Sequence, residues 1–87
     1  MKYYPIGTVV TLKGGNRPLM IYGRAQIQAD SNLVWDYVAC LYPEGNLGDK
    51  YNIFFQHEEV EKVIYPGYSS DMDKKMQEIL NSKKFAS

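Results

Sequence analysis

Cys40, His57 and the run Glu58-Glu59-Val60-Glu61 are the residues of this 87-residue chain whose types could do chemistry. A thiol and an imidazole can pair as nucleophile and base. Cys40, however, reads as a small buried hydrophobe in the middle of a strand, and no third group that would orient His57 is identifiable. A single His beside carboxylates also makes a poor transition-metal site. His57 therefore reads as a solvated residue where a strand gives way to acids. Acid–base catalysis needs two carboxyls in unlike environments inside a cleft. Glu58, Glu59 and Glu61 read instead as a solvated face, or as a docking patch for basic residues of a partner. Lys13-Gly14-Gly15-Asn16-Arg17 has the glycines and cations of a phosphate cradle but neither the spacing of a Walker loop nor the helix that should follow. It reads as a hairpin turn. No catalytic, cofactor-binding or metal-ligating residue is assigned, no cofactor is expected, and the chain is not expected to be an enzyme.

The elements that position these residues are mostly short strands. The run Val34 to Tyr42 holds the only Trp and the only Cys, is rich in Val and aromatics, and stops at Tyr42-Pro43-Glu44-Gly45. That pattern predicts a strand. Both of its faces carry apolar groups, so cover is expected on both. Ile6 to Leu12 reads as the first strand, with Ile6, Thr8, Val10 and Leu12 on the buried side by period two. Leu19 to Gln28 is the second, with Gly23 marking a bulge or bend. Residues Ala29 to Asn32 are turn material. A loop from Pro43 to Lys50 leads to strands at Tyr51–Gln56 and Glu61–Tyr65.

After Pro66-Gly67-Tyr68 the period changes. Ser70 with Asp73 has the spacing of a capping box. Met72, Met76, Ile79 and Leu80 fall on one helical stripe, and acids precede Lys83 and Lys84 as the helix dipole favours. A helix is expected from Asp71 to Lys83, with Phe85–Ser87 frayed. The stripe is expected to pack on the sheet, although its two Met residues also suit an adaptable binding surface. The fold class is α+β: a small curled antiparallel sheet or SH3-like barrel of about five strands with one C-terminal helix. One domain spans 1–87, with the sheet over 5–68 and the helix over about 70–84.

Basic and acidic residues number ten each, and the pI is about 6.5, which argues against a dedicated nucleic-acid binder. The charge is unevenly placed. Lys2, Lys13, Arg17 and Arg24 precede any acid, whereas Asp30 to Glu61 holds seven acids and only Lys50 as a base. The one nucleic-acid platform on offer is Lys13, Arg17 and Arg24 with Tyr22. A lone Cys allows no intrachain disulfide. No signal-peptide pattern or membrane span is expected, so a reducing cytoplasm is the default location. The eight Tyr suit strands and interfaces alike. A binding module would expose an apolar patch on the order of several hundred Å². Its candidate residues are Leu47 and Tyr51 in the long loop, Tyr65 and Tyr68 at the end of the sheet, and Met72, Met76 and Ile79 on the helix.

The ordered phrases PIGTVVTLKGG, LMIYGR, WDYVACLYPEGNLGDKY and FFQHEEVEKVIYPGY, over about Pro5 to Tyr68, resemble domain-of-unknown-function family 4176. Ile6, Gly7, Gly14, Gly15, Gly23, Trp35, Pro43, Gly45 and Gly67 match its pattern. The resemblance implies a companion of LXG toxins, antibacterial effectors exported by the type VII secretion system of Gram-positive bacteria. It implies a chaperone or export adaptor that binds the helical LXG region, with co-export and other small secretion accessory proteins as partners among the expectations. An immunity protein for the toxin and a nucleic-acid-binding small barrel are the alternatives. The oligomeric state is left open.

Overall fold

The computed structural model describes residues 1–28 and 32–83. Its strands are β1 (Val9–Leu12), β2 (Leu19–Ile27), β3 (Val34–Leu41), β4 (Ile53–Phe55) and β5 (Val60–Tyr65), followed by the helix α1 (Asp71–Lys83). Short 3₁₀ turns at Asp49–Tyr51 and His57–Glu59 flank β4. The turn expected at Ala29–Asn32 lies, apart from Asn32, outside the described residues, as do Lys84 and the end expected to fray at Phe85–Ser87.

The strands form one antiparallel sheet in the order β4-β3-β2-β1-β5. Among the described residues β4 and β5 do not pair, so the sheet is open and the SH3-like barrel does not form. The short reach of β4 accounts for this. Its expected first residue, Tyr51, is wound into a 3₁₀ turn, and only three residues extend. β1 is also shorter than expected. Ile6 and Gly7 form a turn in which Gly7 adopts φ 93° and the Thr8 amide donates to the Pro5 carbonyl. Ile6 is consequently exposed, while Thr8 and Val10 are fully buried.

The pairing of β2 with β3 slips between Ile21 and Gly23, which is the bulge expected at Gly23. A Cβ there would lie 2.7 Å from the Val38 side chain, so glycine lets the chain double over at this point. The inner face of the sheet presents Val10, Leu19, Ile21, Tyr37, Ala39 and Phe55, and Tyr3 and Leu80 close over it. On the other face Val9, Val38 and Cys40 are buried as well, with Met20 and Phe54 half-buried beside them.

A second close approach ties the end of the sheet to its start. Thr8 Oγ1 donates to the Pro5 carbonyl at 2.7 Å and accepts the Gly67 amide at 2.9 Å. A Cβ on Gly67 would meet the Ile6 carbonyl oxygen at 2.4 Å and the Thr8 nitrogen at 2.9 Å. Both obstacles are backbone, so no side chain can fit without moving the turn that leads into β1.

Candidate interaction surface and the buried polar network

α1 begins where the sequence places it. Ser70 Oγ accepts the Asp73 amide at 3.1 Å, and acids fill the first turn. The face it turns inward is the unexpected feature. Asp73 and Gln77 are half-buried and Leu80 is buried, which makes a largely polar stripe at i, i+4 and i+7. Of the four stripe residues expected to pack on the sheet, only Leu80 does. Met72 is 79% exposed, and Met76 and Ile79 are exposed too.

The inward contacts are specific. Arg24 Nη1 stands 2.8 Å from Asp73 Oδ1, with both side chains about nine-tenths buried. Gln77 Nε2 donates to Asp73 Oδ2 at 3.2 Å, and Gln77 Oε1 accepts the Tyr3 amide at 2.8 Å. Asn81 holds the first residue from both sides: its Oδ1 accepts the Met1 amino group and its Nδ2 donates to the Met1 carbonyl, each at 2.7 Å. Burial raises the Asp73 pKa, but hydrogen bonds from Gln77 and Arg24, the Arg24 charge and the Ser69 hydroxyl outweigh it. The net effect holds the carboxyl below its ordinary value.

Beneath this network lies an aromatic cluster. Tyr37 Oη accepts the Tyr4 amide at 3.0 Å and shares a hydrogen bond with His57 Nδ1 at 2.5 Å. The Tyr4 ring stacks on His57, with centroids 4.6 Å apart and planes 16° apart. Asp36 Oδ2 accepts the His57 amide at 2.7 Å and fixes the 3₁₀ turn. Burial pushes the Tyr37 phenol far above its ordinary pKa. His57 is thus half-buried and structural. The turn at His57–Glu59 swings its ring back against Tyr37, which corrects the expectation of a solvated strand-end residue.

The other chemical candidates separate. Tyr37 and Cys40 are three residues apart on β3 and so face opposite sides of the sheet. Cys40 is therefore kept from His57. Glu58, Glu59 and Glu61 are exposed, and Glu59 accepts the Gln56 amide at 3.0 Å. Among the described residues no group of three His, Cys, Asp or Glu could hold a metal ion. Nor is any helix there long and apolar enough to cross a membrane. The residues read as a nucleic-acid platform are split, with Lys13 and Tyr22 exposed and the two arginines paired to acids. Arg24 is buried against Asp73, and Arg17 pairs with Glu44.

All seven interface candidates are exposed, but they form two groups. β4 and β5 are the two edges of the sheet and run in the same sense. Leu47 and Tyr51 precede the start of β4, whereas Tyr65 ends β5 beside Val9. The groups therefore lie at diagonal corners. Tyr65, Tyr68, Met72, Met76 and Ile79 follow one another along the chain from the end of β5 into α1, and Tyr68 is 84% exposed. The sequence reading names Arg24 as a platform cation and Asp73 as a cap, and misses the docking of Arg24, Asp73, Gln77 and Asn81 between helix, sheet and N-terminal segment. Their signal was present: 73, 77 and 81 are polar at helical spacing, and an acid in that row can meet a strand arginine.

The family described as Domain of unknown function (DUF4176) matches residues 3–76, which takes in the whole sheet and the first turns of α1. No curated protein and no solved structure matches the chain.

Proposed function

We propose a protein-binding role for this chain, which belongs to the DUF4176 family. It serves as a non-catalytic accessory factor, a chaperone or export adaptor, that binds the helical LXG region of a type VII-secreted antibacterial toxin in the cytoplasm. The identity of the partner follows the sequence resemblance. One structural observation supports binding as such. α1 docks through Asp73, Gln77 and Asn81 with Leu80 beside them, and turns Met72, Met76 and Ile79 to solvent. A helix of a monomeric domain ordinarily does the reverse. Exposed apolar side chains at i, i+4 and i+7 suit the groove or stripe of a helical partner, and Met adapts to its shape.

The test is co-expression with an LXG toxin from the same genome, full-length and divided into its helical N-terminal and toxic C-terminal halves. Retention by the helical half is the expected result. Retention by the toxic half would assign immunity instead, and retention by neither would remove the toxin from the account.

A further inference from the structure

We propose that α1 is a latch: it undocks from the sheet as a unit while the sheet and residues 4–8 stay folded. The opening is a property of the isolated chain and does not depend on the partner named above. Three observations carry it. First, among the described residues the apolar anchor of α1 on the core is a single side chain, Leu80. Second, the rest of the contact is polar, through Arg24–Asp73, Gln77 to Tyr3 and Asn81 to Met1. A buried ion pair adds little net stability, because desolvation offsets its attraction. All of these groups regain water on opening. Third, residue 4 has its own hold on the sheet. Its amide donates to Tyr37 Oη, its carbonyl accepts from Arg24 Nη1 at 3.4 Å, and its ring stacks on His57. Release of α1 therefore leaves Tyr4 in place. It uncovers Tyr3, which packs edge-on against Tyr37 at 5.9 Å. It also frees Leu80 to extend the stripe of Met72, Met76 and Ile79 into a four-residue apolar face.

Amide hydrogen exchange on the full chain, corrected for intrinsic rates, tests this directly. The amides of Gln77 to Leu80 should exchange at least roughly 30-fold faster than those of Tyr37 to Ala39, as a subglobal opening requires. The Tyr4 amide should follow β3. A smaller ratio, or Tyr4 exchanging with α1, overturns the latch. Arg24→Gln separates undocking from simple fraying. It should speed exchange in α1 by about tenfold or more and leave β3 within about twofold. Unchanged α1 rates, or equal acceleration of β3, would also overturn it. Should R24Q not fold, Asn81→Ala makes the same comparison through the Met1 clamp.

Discussion

The sheet and the helix solve the same problem in opposite ways. The inner face of the sheet buries Val10, Ile21, Tyr37 and Phe55 completely, and the strands that carry them pair through their backbones. α1 buries a carboxylate, an amide and one leucine, and leaves its methionines in water. Apolar burial contributes about 1.5–3 kcal/mol per large side chain, whereas a desolvated ion pair contributes little on balance. On the proposed latch the sheet is the folding unit, and the helix is an attachment whose outer face is exposed.

Paired truncations should break or sharpen that contrast. Ile21→Ala removes a fully buried side chain from the sheet and should cost about 3–4 kcal/mol in urea denaturation. Gly67→Ala should cost about 2–3 kcal/mol, because its Cβ would strike the backbone of residues 6 and 8. Leu80→Ala deletes an equally buried leucine, yet it should cost only about 1–2 kcal/mol, since the loss is capped by the free energy of docking the helix. A Leu80→Ala cost equal to that of Ile21→Ala would make α1 part of the cooperative core.

The pH dependence has a definite sign. The folded-state pKa of Asp73 is depressed, so its contribution is present above the unfolded value of about 3.9 and fades as pH falls through the folded value. In Asp73→Asn, helical circular dichroism should lose part of its dependence on pH below about 4 relative to wild type. An unchanged acid profile would show that the Arg24–Asp73 pair does not hold the helix.

Much of the sheet was legible because period-two patterning and turn residues agree. Val34–Leu41 is an apolar run whose middle, Tyr37 to Cys40, is buried on both faces as its composition implies, and Gly23 marks the bulge. The strand ends were not legible where local turns competed, as at Ile6-Gly7 and Asp49–Tyr51. α1 was legible in extent but not in orientation. Hydrophobic periodicity names the apolar face and assumes it points inward. Partners far along the chain, Arg24, Tyr3 and Met1, decide that the Asp73 face does so instead. In the sequence Gly67 marks only the end of the strands, but its need is the close approach of the backbone at residues 6 and 8, which no local pattern reveals.

The most direct test of the account is the double variant Met76→Asp/Ile79→Asp, followed by thermal unfolding and by titration calorimetry against the helical LXG region. The account predicts a stability within about 0.5 kcal/mol of wild type, as for exposed positions, together with loss of binding. A variant that fails to fold would place these residues in the core. A folded variant that binds as tightly as wild type would remove α1 from the interface.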